Sequence, residues 1–192
     1  MRYKLGHKEE ARERVLEAAG KRLKRSGLNG VGIDGLMAEA GLTSGAFYTH
    51  FSGKDQLFEE VMTRGLTRMR DRLKLRNESN EPYWLFEYAK GYLNVKSCFN
   101  VEDGCVLPAL TTDASRSSDS VRQAYSNAML EVVEVCALGA AGNDDSERRA
   151  NAWKFLSIIV GAVTLARAMP DGAEAQSVLD AALQEVRSIS RE

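Results

Sequence analysis

Between Gly41 and Phe58 the chain reads GLTSGAFYTHFSGKDQLF. Hydroxyl, imidazole and ammonium groups crowd this segment: Thr43, Ser44, Tyr48, Thr49, His50 and Lys54. Such groups hydrogen-bond to phosphates and to base edges. Gly45 and Ala46 are small enough to let a backbone approach a bulky surface. Phe47 and Phe51, four positions apart, fall on one face of a helix and can anchor it to a core. Lys54 stands at the expected opening of the next helix, where a helix N-terminus does not favour a cation. A phosphate bound there, alongside the exposed amides, would account for it. A core segment does not need both polar-tipped side chains, Tyr48 and His50, between Phe47 and Phe51.

The thiols are the other reactive groups. Cys98, Cys105 and Cys136 are an odd count with no Cys-x-x-Cys pair, and the two histidines, His7 and His50, lie far apart. Reduced thiols in a cytoplasmic protein, with no metal and no cofactor, are the simplest expectation. Cys105 sits in DGCVLPAL at the expected start of a helix. A helix N-terminus lowers a thiol pKa and raises its reactivity, so Cys105 is a redox-sensing candidate, with Cys98 as a conceivable resolving partner. The competing reading is a buried cysteine acting as a small hydrophobe.

Other motifs lack their context. Gly30–Gly35 spells G-x-G-x-x-G, but a basic helix precedes it and no parallel strands follow, so a dinucleotide fold is not expected. H-E-x-x-H, P-loop and G-x-S-x-G sequences are missing, and an enzyme is not expected. No run of about 18 apolar residues exists to span a membrane, and the first residues show no secretory h-region. Apolar residues make up 44% and charged residues 28% of the 192 positions, as in ordinary globular proteins. The charge is unevenly spread: residues 1–76 hold 16 Lys and Arg against 10 Asp and Glu, while residues 77–192 hold 10 against 17. The first part suits a polyanion and the second does not, although the basic stretch from Arg64 to Arg76 is equally readable as a solvated helix face.

The elements that would position these groups are all helical. Periodicity predicts helices over Glu9–Arg25, Ile33–Ala40, about Ser44–Phe51, and a long helix from about Ser52, with Ser52 and Asp55 spaced as a capping box. Thr43 is placed to cap the third. After the polar break 77–82, helices are expected over Pro82–Phe99, Gly104–Ala114, Ser118–Leu138, Glu147–Met169 and Asp171–Ile189. That makes about nine helices and an all-α fold.

Two short helices joined by a Gly-bearing turn match a helix-turn-helix, whose second helix enters the DNA major groove. GLTSGAFYTHFSGKDQLF, preceded by GIDGLMAEA, resembles the N-terminal domain of the TetR family of bacterial transcriptional repressors; the close resemblance covers roughly residues 9–62. It departs from the family at Gly32, where members often carry a capping Thr or Ser. The resemblance implies Thr43, Ser44, Gly45, Ala46, Tyr48, Thr49 and His50 at or near DNA, and Lys54 on a phosphate. Certain electrophile- or oxidant-sensing TetR-like regulators carry a Gly-Cys-hydrophobic segment at a place similar to Gly104–Val106. A homodimer through the last two helices is also implied. The division is then 1–53 as a helix-turn-helix DNA-binding domain, 54–76 as a connecting helix, and 77–192 as a ligand-binding and dimerisation domain.

Arg2 and Lys4, with Lys8, form a basic arm suited to phosphate or minor-groove contacts. The aromatic-rich set Trp84, Tyr88, Tyr92, Phe99, Tyr125, Met129 and Trp153 could line an effector pocket between helices; core packing is the alternative for each. The expected function is a ligand-responsive DNA-binding regulator, a repressor leaving a palindromic double-stranded operator when a small-molecule effector binds or a thiol is modified. A helical ligand-binding module acting through a protein partner is the alternative.

Overall fold

The computed structural model describes residues 5–79 and 81–191, with side chains from Lys8 onward. The arm residues Arg2 and Lys4 lie outside the described residues. Ten helices and no strand are present among the described residues: α1 (Leu5–Ser26), α2 (Ile33–Glu39), α3 (Ser44–Phe47), α4 (Lys54–Glu78), α5 (Trp84–Tyr92), α6 (Val95–Phe99), α7 (Val106–Ser115), α8 (Asp119–Gly139), α9 (Asp145–Arg167) and α10 (Ala173–Ser188). The all-α expectation holds.

The first three helices form a head on the start of α4. Val15, Ala19 and Leu23 of α1 bury against Leu36 and Met37 of α2, Phe47 of α3, Phe51, and Leu57 and Phe58 of α4. The Phe47 and Phe51 rings lie 5.4 Å apart between centroids. The Arg12 guanidinium covers Phe51, 5.2 Å from the ring centre, and pairs with Glu60. Burying a phenylalanine contributes roughly 1.5–3 kcal/mol, so these rings position α3 more firmly than its single turn of backbone bonds.

The long α4 runs from the head into the body, burying Val61, Met62, Leu66, Met69 and Leu73 in one continuous stripe. It packs along α8, and α9 and α10 close the other side. The body core combines Leu85, Leu110, Val132, Val133, Phe155, Ile159 and Val186. Gly139 lets Trp84 approach, since a Cβ there would stand 2.5 Å from the indole.

Three local expectations are corrected. The helix expected over Pro82–Phe99 is two, because Asn94 caps a new start by accepting from the Ser97 amide at 3.1 Å. Thr43 occupies the N-cap of α3 but makes no capping bond, and α3 ends at Phe47 before a hydrogen-bonded turn through His50. The Ser52–Asp55 capping box does not form: Gln56 accepts from the Ser52 amide at 2.7 Å and from its hydroxyl at 3.0 Å.

Candidate nucleic-acid interface and ligand cavity

The turn before α3 is fixed by backbone chemistry. Gly41 sits at φ +69°, the left-handed conformation that glycine adopts without a Cβ penalty. The Leu42 amide returns to the Met37 carbonyl at 2.8 Å and the Gly41 amide to Ala38 at 3.0 Å. These two bonds are a Schellman termination of α2, and they swing the chain so that α3 presents its start outward.

With Phe47 buried, the opposite side of α3 faces away from the core. Thr43, Gly45, Tyr48 and Thr49 are exposed, and Ser44, Ala46 and His50 half-exposed. Tyr48 is 67% exposed although its ring stands edge-on to Phe47. A Cβ on Gly45 would meet nothing within 4 Å. Glycine inside a helix costs about 1 kcal/mol relative to alanine, and no neighbour within the chain requires it. Thr49 is partly occupied, its hydroxyl donating to the Ala46 carbonyl at 2.7 Å. His50 keeps a buried Nδ1 without a partner. Burial, with Lys8 and Arg12 nearby, holds its pKa below 6.5.

Lys54 is engaged inside the chain: its ammonium donates to the Leu28 carbonyl at 2.9 Å, tying α4 to the α1–α2 loop. That bond is a structural reason for a lysine at this helix start. A lysine has two further donors.

The second site is a cavity of about 700 Å³ in the body. Tyr88 and Tyr92 line it, stacked with ring centres 6.1 Å apart, together with Met69, Val163 and Cys105. Burial pushes both tyrosine pKa values up. The other expected pocket residues do not line it. Trp84 borders a separate open recess beside Pro82 and Gly139. Met129 is buried in the core, and Phe99 and Tyr125 pack partly buried against it. Trp153 is 40% exposed on the outer face of α9. Sequence shows which residues are aromatic, but the side on which each helix meets the cavity is a tertiary fact.

Cys105 lies at the start of α7, its sulfur 3.5 Å from the Leu107 amide and 4.0 Å from the Met69 sulfur. The direction of its pKa shift is opposite to that expected of a helix N-terminus. Burial pushes the thiol up, outweighing the pull of Tyr92, the Leu107 amide and the Arg167 and Lys24 charges. Cys98, Cys105 and Cys136 are all free thiols.

Sequence reasoning missed the cationic lining of this cavity: Lys24, Arg68, Arg72, Arg76 and Arg167. The spacing of Arg68, Arg72 and Arg76, one helical turn each, was a legible signal for the three on α4. Lys24 and Arg167 come from opposite ends of the chain and gave none. Lys24 belongs to the head, and its ammonium donates to the Gly104 carbonyl at 3.0 Å. At the other end of α7, Asp113 accepts from the Leu28 amide at 3.3 Å. The segment from Gly104 to Asp113 is therefore bonded directly to the head at both of its ends.

Comparison with known proteins agrees with this geometry. Residues 15–61 match the family described as bacterial regulatory proteins, tetR family. Over 72 residues the chain is 32% identical to the uncharacterized HTH-type transcriptional regulator YvdT of Bacillus subtilis (strain 168); the match spans 38% of this chain and 37% of that protein. The fold resembles that of reduced NemR from E. coli, with TM-score 0.79 at 20% identity, covering 94% of this chain and 96% of that one. It also resembles a TetR-family transcriptional regulator from Agrobacterium tumefaciens, with TM-score 0.76 at 15% identity over 93% and 98% of the two chains. The head thus matches the tetR family of bacterial regulatory proteins over residues 15–61, and it is carried on an all-helical body whose fold resembles that of solved TetR-family regulators.

Proposed function

We propose that the protein is a dimeric, effector-responsive repressor whose α3 reads one half of a palindromic operator. The observation that carries this reading is the outward face of α3: Thr43, Gly45 and Tyr48 are exposed on a helix held from behind by Phe47. Ser44, Ala46, Thr49 and His50 complete the contact surface, and Lys54 reaches a phosphate with the donors that Leu28 leaves over. Half-sites are then spaced by about 34–36 Å or a multiple of it. Residues 1–53 act as the DNA-binding domain, 54–76 as the connecting helix and 77–192 as the effector and dimerisation domain.

The outer face of α9 supports the dimer. Trp153, Ser157, Thr164 and Leu165 are exposed along it. Gly161 lies between them with open space where a Cβ would stand. A glycine there lets a second helix approach closely, and an isologous contact generates the two-fold axis that a palindrome requires.

The effector occupies the cavity beside Tyr88 and Tyr92. It releases DNA by binding more tightly to the arrangement whose heads no longer fit the operator. Small-molecule binding is favoured over thiol modification, because a cavity of about 700 Å³ stands beside Tyr88 and Tyr92 and burial raises rather than lowers the Cys105 thiol pKa.

The test is a fluorescence-anisotropy titration of the protein on its own upstream intergenic DNA at two salt concentrations, with an unrelated duplex as control. Sequence-selective, salt-dependent binding that Tyr48→Ala weakens supports the reading. Binding no better than to unrelated duplex, across all candidate operators, favours the alternative of a module acting through a protein partner.

A further inference from the structure

Five cationic side chains line the cavity against two acidic ones, Glu87 and Asp103. Both acids have partners of their own. Lys90 donates to both oxygens of Glu87, at 2.8 and 3.0 Å. Asn100 donates to Asp103 at 3.3 Å. Arg68 and Arg72 lie one turn apart on α4 and form no ion pair or side-chain hydrogen bond among the described residues. They lie 14 and 18 positions beyond Lys54. At about 1.5 Å per residue they are therefore some 20 Å or more along the helix from Lys54, far from where α3 would meet a phosphate.

Arg167 is the more telling group. Its Nε donates to the Cys98 carbonyl at 2.6 Å, whereas its Nη1 is buried with no partner. A buried donor of a charged group left without an acceptor is strongly unfavourable. Gly104 makes room for this guanidinium: a Cβ there would stand 2.9 Å from Nη2. The neighbouring Tyr92 hydroxyl is also buried without a hydrogen bond of regular geometry. A merely solvated basic face explains the exposed arginines of α4 but not an unsatisfied guanidinium nitrogen inside the fold.

The geometry points to an organic anion as the effector: its carboxylate or phosphate group is accepted by Arg167 with Arg68 and Arg72 at the mouth, and its planar or apolar body lies against Tyr88 and Tyr92. This rests on the cavity being the effector site, as proposed above. Guanidinium is suited to the assignment, since its planar donors match carboxylate and phosphate oxygens two at a time.

The test compares two fluorescent probes on the full-length protein: 8-anilinonaphthalene-1-sulfonate, and N-phenyl-1-naphthylamine, which has the same rings and no charge. The anion is expected to bind about tenfold more tightly. Arg68→Gln/Arg72→Gln and Arg167→Met should each weaken the anion by about fivefold or more and leave the neutral probe within about twofold. The first variant alters only exposed side chains, so it carries the test if Arg167→Met fails to fold by circular dichroism. Competition with 1-naphthoate and 1-naphthyl phosphate then separates the head groups: displacement by the first alone assigns a carboxylate, by the second alone a phosphate, and by both a site open to either. Displacement by neither overturns the assignment. Equal affinity for the two fluorescent probes, or equal loss in the variants, overturns the anion preference and leaves the cavity standing. Saturable binding of neither probe overturns both.

Discussion

Lys24 and Gly104, separated by 80 positions in sequence, are joined by a hydrogen bond of 3.0 Å. One partner sits in the last turn of α1, within the reading head; the other precedes α7 at the cavity wall. The proposed ligand anion at Arg167 would compete for the same ammonium. Withdrawing it from the carbonyl would loosen the head from the body, and on the proposed reading this is a route by which an effector would act on DNA binding.

Lys24→Met is accordingly expected to separate binding from response. The anionic probe should still bind within a few-fold. Its effect on operator affinity, ordinarily about 5–150-fold for a coupled pair of sites, should shrink toward none. Anisotropy of labelled operator with and without the probe measures this; an undiminished response would remove Lys24 from the coupling route.

Tyr48→Ala should lower operator affinity by about 1–3 kcal/mol, the scale of a lost specific contact. Because the side chain is largely exposed, unfolding stability should change by only about 0.5 kcal/mol. Paired DNA titration and urea denaturation check both halves.

Phe47→Ala should do the reverse. The ring is fully buried between α1, α2 and Phe51, and such truncations cost about 3–5 kcal/mol. Urea denaturation should show the head melting before the body, with loss of DNA binding following from unfolding.

His50 supplies a pH dependence. Its folded-state pKa is held below the ordinary 6.5, chiefly by burial. Above that value both states are neutral and the group contributes nothing. As pH falls through about 6.5 the unfolded chain takes up the proton first, so stability declines until the folded-state pKa is passed. Melting temperature measured from pH 7.5 to 5 should fall more steeply for the native chain than for His50→Gln; parallel slopes would assign the decline to other groups.

Leu165→Glu places a charge on the outer face of α9, where Leu165 is 57% exposed. Sedimentation should shift from two chains to one, while the fold of each chain persists by circular dichroism. An unchanged mass would move the interface elsewhere.

The head was legible because its determinants are local. Gly41 ends one helix and the Phe47–Phe51 spacing anchors the next, all within a dozen positions that resemble one family closely. The cavity was less so: its lining comes from α1, α4, α5, α6, α7 and α9, and no window of sequence contains their meeting point. Tyr88 and Tyr92 line it, whereas Trp153, equally aromatic, faces outward. Asn94 illustrates a nearer failure. The apolar pattern of Pro82–Phe99 runs through it without pause, and only its side-chain bond to the Ser97 amide shows that one helix stops and another starts.

The two tryptophans stand in opposite surroundings, Trp84 against Gly139 inside the body and Trp153 on the outer face of α9. The protein thereby carries two native optical reporters. Emission from Trp153 should move to shorter wavelength when a second chain covers it, while that of Trp84 records only the integrity of the body. Comparing the native chain with a Trp153→Phe variant, which keeps only the Trp84 signal, separates assembly from unfolding without any attached label.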